Sequence, residues 1–240
     1  LCSLAALSGD PTLVEIYNTG GDIHTDLANE LFPGWDERHN GNDILKAIAK
    51  EQRVKCKNVN FGITYGITEF GLQGEIGGPI SESRDMLAGW FAKYPVAGEF
   101  IEKCRGAPAR NQIMTTCFGR KKRVGLVSRQ NLRFLQNEAA NFPHQSIASD
   151  INLHAAIRTW RELLSWGVRI VNLIHDSLLL EVPLVGDHGN HLRERVIQLV
   201  AREMRQVPID WGITRVPFTA DAEYGHRWGS LTEYKGVIYG

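Results

Sequence analysis

The sequence has no excess of charge of either sign, because its 27 basic residues balance 27 acidic ones over 240 positions. This balance argues against a protein held on nucleic acid by overall charge, although it leaves room for a local basic groove. No two of the four cysteines form a C-x₂-C pair. Neither a zinc site nor a disulfide framework is therefore indicated, and a reducing compartment is expected.

Long uninterrupted apolar runs are also absent. The most apolar stretch, residues 168–185, contains His175, Asp176 and Glu181, which makes it a poor membrane span. The sequence shows no signal peptide, low-complexity segment or internal repeat. These absences predict a protein of the cytoplasm or of an organelle, with no membrane partner and no secretion.

Charged and aromatic residues recur at every fourth position in the stretch RVKCKNVNFGITYG, which begins at Arg53. Four residues turn about 400° on a helix, so each member lies about 40° from the one before. Arg53, Lys57, Phe61 and Tyr65 would therefore form one slowly curving stripe. Cations suit a polyanion and rings suit a flat aromatic partner, and a nucleoside triphosphate presents both. A solvated helix face is the alternative interpretation.

Two glycines beside these rings favour the functional interpretation, because each costs about 1 kcal/mol inside a helix. Close approach of a ligand or of another backbone is one reason to keep them. The pattern Arg-x₃-Lys-x₃-Phe-Gly-x₂-Tyr-Gly resembles motif B of the family A DNA polymerases, which lies on a fingers helix that closes over the incoming nucleotide. This resemblance implies that Arg53 and Lys57 bind the triphosphate, Lys57 protonates the departing pyrophosphate, Phe61 packs on the sugar and base, and Tyr65 guards the template side.

A polar pair, His175-Asp176, interrupts two apolar runs in the sequence IHDSLLLEVP. An Asp among apolar residues is costly to bury unless it pairs or binds a metal, although a simple turn beside a hydrogen-bonded histidine is the alternative. The run resembles motif C of the same family, which implies that Asp176 holds Mg²⁺ and that His175 contacts the primer–template duplex. Ser177 stands where the family has Glu, and we expect this change to weaken metal ordering without abolishing the site.

Two further stretches resemble the same family. The sequence GDIH ends at His24, and the resemblance implies that this side chain contacts the phosphates of the nucleotide. The sequence NEAANFPHQ begins at Asn137 and resembles the palm helix that reads the minor groove of the primer–template duplex. Asn141 and Gln145 match family positions in it. Asn137 replaces the usual Arg, which puts one duplex contact in doubt.

Hydrophobic spacing predicts an α+β protein with a helical lobe over residues 1–136, followed by a smaller α+β lobe with a small antiparallel sheet. The resemblance implies that residues 1–136 are mainly fingers, of which residues 1–9 continue from a palm strand, and that residues 137–240 are part of the palm with the motif C hairpin. The individual predictions are helices over Asp43–Asn60, Ser81–Arg105, Leu132–Trp166 (broken or kinked near Pro143) and Asn190–Gln206, a hairpin or loop over Gln112–Val127, a hairpin over Val168–Pro183 and a strand over Pro217–Glu223.

The resemblance implies a template-directed DNA polymerase portion that transfers dNTP to a primer 3′ end with two Mg²⁺ ions. The family's other metal-binding Asp lies in motif A, which is expected upstream of Leu1 or on another chain. We therefore expect this chain to be inactive alone. Its expected partners are primer–template DNA, dNTP and a further segment or subunit that supplies motif A, the thumb and the rest of the palm. A single-subunit RNA polymerase and a non-catalytic nucleic-acid-binding or assembly subunit remain alternatives, although the former lacks a counterpart of Phe61.

Overall fold

The computed structural model describes residues 1–110, 112–183 and 188–238. These residues divide into two compact units, unit 1 (Leu1–His144) and unit 2 (Gln145–Gly240). Long helices and short antiparallel strand pairs make up both units, which confirms the predicted α+β class. None of the helices in the described part of the chain combines the length and the apolar character that a membrane crossing requires.

Unit 1 is mainly helical, as the hydrophobic spacing predicts. Several of its helices begin at a side-chain cap, which satisfies backbone amides that have no partner within the helix. The motif B stretch lies at the carboxyl-terminal end of the longest of them, which runs further than the predicted Asp43–Asn60. The helices are α1 (Cys2–Ser8), α2 (Pro11–Asn18), α3 (Ile23–Leu31), α4 (Trp35–His39), α5 (Asp43–Thr64), α6 (Glu69–Ile76), α7 (Ile80–Lys93) and α8 (Pro95–Arg105).

The predicted single helix over Ser81–Arg105 is wrong, because the structure has two helices, α7 and α8. They meet at Tyr94, whose backbone has φ −121° and ψ 62°. Proline disfavours the helical conformation in the residue that precedes it, and Pro95 follows at this point. Proline is also well suited to the first position of the next helix, where its missing N–H is not needed. The boundary between α7 and α8 could therefore have been predicted from Pro95 in the sequence.

Asp10 is a fully buried carboxylate that caps two helices at once. Its Oδ1 accepts hydrogen bonds from the amides of Thr12 and Leu13 at the start of α2. Its Oδ2 accepts from the amides of Val96 and Ala97 at the start of α8. Asp10 is therefore a structural residue.

The core of unit 1 is built from large apolar side chains on successive helices. Trp35, Trp90 and Tyr94 are among its most buried members. The Trp35 indole N–H donates to the Ala49 carbonyl oxygen at 2.9 Å, which ties α4 to α5. Beyond α8, strands β1 (Met114–Thr115) and β2 (Lys121–Lys122) form an antiparallel pair, so the predicted hairpin or loop over Gln112–Val127 is a short hairpin.

A long helix, α9 (Leu132–Ser165), follows this hairpin and continues through Pro143. The predicted break near Pro143 is therefore wrong, whereas the predicted kink stays a prediction. The fixed φ of proline fits a helix, and its missing N–H removes a single bond of the helical ladder. The remaining bonds of such a long helix are sufficient to maintain it.

Unit 2 contains the predicted motif C hairpin, formed by β3 (Arg169–Ile174) and β4 (Ser177–Glu181). Helix α10 (His188–Asp210) follows and is longer than the predicted Asn190–Gln206. A cluster of apolar residues from α9, the hairpin and α10 forms the core of this unit. Its buried members are Leu163, Val168, Val196, Leu199 and Val200.

The predicted strand over Pro217–Glu223 is wrong for most of its length. The strand in this region, β5, covers only Glu223–Tyr224, and it pairs with β6 (Thr232–Glu233). A strand is stabilised by the ladder of hydrogen bonds to its neighbour, and Pro217 has no backbone N–H to contribute to one. Apolar β-formers alone were therefore insufficient to predict the strand.

Candidate nucleotide-binding and metal-binding residues

The motif B stripe lies on the carboxyl-terminal half of α5 with its members at the surface. Phe61 and Tyr65 are 43% and 53% exposed, which is unusual for large rings and leaves both available to a ligand. Lys57 is exposed as well. Its ammonium forms neither a hydrogen bond nor an ion pair within the described residues, whereas the nearby Lys55 pairs with Glu82 at 2.7 Å. Lys57 is thus the available cation of this stripe.

Arg53, in contrast, has a partner within unit 1. Its Nε and Nη2 both donate to Asp22 Oδ2, at 2.8 and 2.5 Å. The same carboxylate accepts from the Thr25 hydroxyl at 2.6 Å and from the backbone amides of His24 and Thr25, so it also caps α3. Burial acts to raise the pKa of Asp22, but the hydrogen bonds from Thr25, Arg53 and the His24 amide hold it below its usual value. Asp22 is a residue that sequence reasoning missed.

His24, for which the resemblance implies a phosphate contact, lies beside the stripe. Its ring is 5.6 Å from the ring of Phe61, and its Nδ1 is 3.0 Å from Nδ2 of Asn60. Burial lowers the pKa of His24. Asp22 opposes this shift, and Arg53 and Lys57 add to it. The structure therefore brings all five predicted nucleotide-binding residues to α5 and the start of α3.

The two glycines of the motif have structural explanations. A Cβ on Gly62 would lie 2.7 Å from the Cγ2 of Ile67, so the side chain of Ile67 occupies this space. Gly66 has φ +75° and follows the last turn of α5, where the Ile67 amide bonds back to the Gly62 carbonyl at 2.9 Å. This is the Schellman arrangement that ends many helices with glycine. A neighbouring side chain explains Gly62 and a helix end explains Gly66, so neither glycine requires the close ligand or backbone that the sequence suggested.

A shallow groove with a volume of about 380 Å³ lies where α5 ends. Phe61, Tyr65, Ile67 and Glu75 are among the residues that line it. Ring faces beside a groove can stack with a nucleobase at about 1 to 3 kcal/mol per base. The groove therefore gives the aromatic half of the stripe a place for a flat ligand.

The predicted metal ligand, Asp176, lies at the tip of the β3–β4 hairpin. His175 and Asp176 are both exposed, and they form a two-residue turn between paired Ile174 and Ser177. His175 has φ +52°, a left-handed conformation that is uncommon for a residue with a side chain. Such strain at a turn is a frequent feature of functional sites.

Asn152, a residue of α9 that is 2% exposed, donates hydrogen bonds to the backbone of this turn. Its Nδ2 lies 3.0 Å from the Ser177 carbonyl oxygen and 3.5 Å from that of His175. The Ser177 hydroxyl donates a hydrogen bond to the Ile174 carbonyl oxygen at 2.9 Å, so its proton is used within the hairpin. Asn152 is a second residue that sequence reasoning missed, since no motif marks it.

Asp176 fits one half of a magnesium site. Within the described residues its carboxylate accepts no hydrogen bond and forms no ion pair, and these residues contain no cluster of three or more His, Cys, Asp or Glu side chains that could hold a metal. Mg²⁺ is usually held by one or two carboxylates, and water and substrate phosphates complete its shell. A single available carboxylate can therefore supply one ligand of such a site.

The predicted duplex-binding residues of α9 differ in environment. Asn141 is half-buried, and its Oδ1 has no hydrogen-bond partner in the described residues. Gln145 is exposed at the start of unit 2. Asn137, which replaces the family's Arg, accepts a hydrogen bond from Arg105 Nη2 at 3.0 Å. Asn137 therefore binds the guanidinium of Arg105, another residue of unit 1.

Comparison with known proteins decides the family. The family model described as DNA polymerase family A matches residues 1–230. The chain belongs to DNA polymerase family A. This assignment favours a DNA polymerase portion over a single-subunit RNA polymerase, one of the alternatives that the sequence left open.

Curated DNA polymerase I sequences of this family resemble nearly the whole chain. The thermostable DNA polymerase I of Thermus thermophilus is 30% identical over 233 residues, which is 96% of this chain and 26% of the relative. That of Thermus aquaticus has the same identity and coverage. DNA polymerase I of Pseudomonas aeruginosa is 27% identical over 94% of this chain and 23% of its own length. The chain spans about a quarter of the length of these relatives.

A solved structure supports the fold. The POL domain of Pol1 from M. smegmatis, in a complex with DNA primer-template and dNTP, superimposes with a TM-score of 0.68 at 24% identity. The likeness covers 90% of this chain and 36% of that one. The chain therefore has the fold of part of a family A polymerase domain.

Proposed function

We propose that this chain is the nucleotide-binding and partial catalytic portion of a template-directed DNA polymerase. The observation that carries the proposal is the exposed stripe of α5, on which an available lysine and two exposed rings follow Arg53, with His24 beside them. Its reaction would be nucleotidyl transfer from dNTP to a primer 3′ end. Membership of DNA polymerase family A supports this reaction. The bacterial polymerases among its relatives support a cytoplasmic location.

The cationic end of the stripe would bind the triphosphate. Lys57 has no competing anion among the described residues, so its ammonium is available to phosphate oxygens. Arg53 would exchange its Asp22 contact for a charge-assisted contact to phosphate, for which the planar guanidinium is well suited. By resemblance to the family, Lys57 would also protonate the pyrophosphate as it leaves.

The aromatic end would bind the sugar and the base. Phe61 would pack on the incoming nucleotide, and Tyr65 would stand at the template side of the new base pair. The groove beside them offers space for a flat ring system. Sequence specificity would come from base pairing, so contacts of Asn141, Gln145 and His175 to the minor groove and backbone would suffice for the duplex.

Asp176 would hold Mg²⁺ through its exposed carboxylate. Members of family A use divalent metal ions, and two such ions would neutralise the charge that develops on the phosphoryl oxygens during transfer. Asn152 would keep the turn in place, because it holds the carbonyl oxygens on either side of Asp176. Ser177 would contribute no carboxylate, so the order of the metal would depend on Asp176 and on groups outside the described residues.

A further segment would complete the site with motif A, the thumb and the rest of the palm. Two observations in unit 2 support this proposal. Val171 and Leu173 of the hairpin are 56% and 44% exposed, although they are apolar β-formers. On α9, Ile157, Trp160 and Leu164 form a second exposed apolar stripe at helical spacing. Since the relatives are about four times longer, the matching part of such a protein is the occupant we propose for these surfaces.

Nucleotide binding tests the stripe directly. Calorimetric titration of the chain with Mg·dATP should detect binding, and Lys57→Ala should weaken it about tenfold or more through loss of a phosphate contact. Lys46→Ala is the matched control, because Lys46 is an exposed lysine of the same helix about 16 Å away. Equal losses from both substitutions would attribute the effect to bulk charge and overturn the assignment of Lys57.

Primer extension separates the remaining alternatives. The purified chain with Mg²⁺, primer–template and dNTP should extend poorly, and addition of a segment that carries the second carboxylate should restore synthesis. Robust extension by the chain alone would contradict the proposed incompleteness. Incorporation of rNTP in preference to dNTP would indicate an RNA polymerase. A complex that binds DNA yet remains inactive would indicate an assembly subunit.

A further inference from the structure

One ring nitrogen of His24 is already committed within unit 1. Nδ1 lies 3.0 Å from the side-chain amide nitrogen of Asn60, a residue of α5 that is fully buried. The ring also lies against Phe61, which follows Asn60 in the sequence. Nε2 has no hydrogen-bond partner in the described part of the chain, so it is the nitrogen that remains for a ligand.

The orientation of the Asn60 amide follows from its other neighbours. The Trp90 indole N–H, which can only donate, lies 2.8 Å from Asn60 Oδ1. On the opposite side of the amide, the Ile23 carbonyl oxygen, which can only accept, lies 3.5 Å from Asn60 Nδ2. A flipped amide would place donor against donor at Trp90 and acceptor against acceptor at Ile23. Nδ2 is therefore the atom that faces His24, and it is a donor.

Nδ1 of His24 must consequently accept a hydrogen bond, which requires that it carry no proton. We propose that Asn60 and Trp90 are positioning residues that hold His24 as the neutral Nε2–H tautomer, which presents one N–H donor to an anionic ligand. This inference rests on the proposed function in taking that ligand to be the triphosphate. His24 then contributes a directed hydrogen bond, while Arg53 and Lys57 supply the positive charge.

The electrostatic surroundings agree with a neutral ring. Protonation would place an Nδ1–H against the Asn60 amide and add a third cation beside Arg53 and Lys57. The charged side chains that act on the ring are Asp22, Arg53 and Lys57, and burial is the largest influence. Together they lower the pKa of His24, so the neutral form extends below the usual range of histidine.

The tautomer can be observed in the free chain without nucleotide. The ring nitrogens of a ¹⁵N-labelled sample report which nitrogen carries the proton, and the signals lost in His24→Gln identify the residue. We expect a protonated Nε2, an unprotonated Nδ1 and a pKa below 6.5 in the unmodified chain. An Nδ1–H tautomer, or a ring that is protonated at neutral pH, would overturn the inference.

Asn60→Asp converts the fixed donor into an acceptor and should reverse the preference. Its two oxygens can accept from Trp90 and from an Nδ1–H, so the pKa of His24 should rise by about one unit or more. Asn58→Asp is the matched control, because it adds the same charge two residues away on α5. An equal rise of the His24 pKa in both variants would attribute the effect to charge alone. It would contradict the proposed hydrogen bonds from Trp90 through Asn60 to His24.

Two additions keep the test decisive. If buried Asp at position 60 prevents folding, Trp90→Phe removes the donor that orients the amide, and His24 should then show a mixture of tautomers. An unchanged single tautomer in that variant would contradict the role of Trp90. Addition of Mg·dATP is a separate measurement: if the tautomer is as expected but the Nε2 signal does not respond, the proposed function fails while the tautomer assignment stands.

Discussion

The α5 stripe of unit 1 and the hairpin turn of unit 2 are built in different ways. Around the stripe, Asp22 holds Arg53, and Asn60 holds His24, so the functional side chains have partners within the same unit. At the turn, Asp176 is exposed and has no side-chain partner among the described residues. Under the proposed function, the stripe would be a nearly complete binding surface, whereas the turn would be one component of a site that requires further groups.

This difference also explains how each region resists change. The stripe depends on buried polar contacts, which are costly to disturb because the partner left behind loses its hydrogen bond in the interior. The turn depends on Asn152 and on the strand pairs beside it. Substitution of Asp176 at the turn should therefore lower the reaction rate with little effect on stability. Substitution of a buried polar residue in unit 1 should instead lower the stability.

The largest expected effect is on catalysis. In the polymerase completed by its further segment, Asp176→Asn should lower the incorporation rate about a thousandfold or more, because a metal ligand that stabilises transition-state charge is lost. Single-turnover incorporation measures this rate. Asp221→Asn, which changes an exposed carboxylate elsewhere in unit 2, should leave it unchanged. A loss below tenfold for Asp176→Asn would remove this residue from the metal site.

The second effect is on stability and should be confined to unit 1. Asp10→Ala removes the acceptor of four backbone amides at two helix starts, and we expect it to lower the free energy of unfolding by about 3 kcal/mol. Asn42→Ala, which removes an exposed cap of α5, should cost about 1 kcal/mol.

Denaturant titration and hydrogen exchange measure these two losses. Amide protection in α2 and α8 should fall in Asp10→Ala, while protection in the β3–β4 hairpin should remain. Equal costs for the buried and the exposed cap would contradict the framework role of Asp10. Loss of protection in the hairpin would show that the two units do not respond separately.

A third effect concerns the pH dependence of stability. His144 is 4% exposed, neither ring nitrogen has a hydrogen-bond partner in the described residues, and burial lowers its pKa to about 4. Since the pKa of an unfolded histidine is about 6.5, the unfolded chain binds more protons between these values. Stability should therefore be intact above pH 6.5 and should fall by about 2 to 3 kcal/mol as the pH decreases towards 4.

Difference measurements isolate this contribution from the carboxylates that titrate in the same range. The unfolding free energy of His144→Leu, relative to the unmodified chain, should increase as the pH falls from 6.5 to 4. A flat difference curve for His144→Leu would indicate that the buried ring does not resist protonation.

Local patterns in the sequence predicted the helical stripe and the hairpin because both depend on neighbouring residues. The fourfold spacing from Arg53 to Tyr65 defines one helix face, and the polar pair between two apolar runs defines a turn. Pro95 could also have divided the predicted helix over Ser81–Arg105, since its effect on Tyr94 is local. The strand over Pro217–Glu223 failed for the opposite reason, because strand formation depends on a pairing partner.

The partners of the stripe lay beyond sequence reasoning because they are distant along the chain. Asp22 and Arg53 are 31 positions apart, and Trp90 and Asn60 are 30 positions apart. No spacing rule links such residues, and the two members of each pair lie on different elements of the fold. The sequence therefore indicated which side chains could contact a nucleotide, and the fold was needed to show what holds them.

The smallest expected effect comes from the Asp22–Arg53 pair, and it tests whether the stripe is complete or partly masked. Asp22→Asn retains an oxygen that can cap α3 but weakens the hold on Arg53 and removes a negative charge near the triphosphate. Because both members are about 40% exposed, the stability should change by less than about 1 kcal/mol. Affinity for Mg·dATP should rise about threefold, measured by calorimetric titration.

Glu51→Gln is the control, since it removes a charge from exposed Glu51, two residues from Arg53. Equal gains in both variants would reduce the effect to net charge, and weaker binding in Asp22→Asn would mean that Asp22 aims Arg53 at the phosphates instead of withholding it.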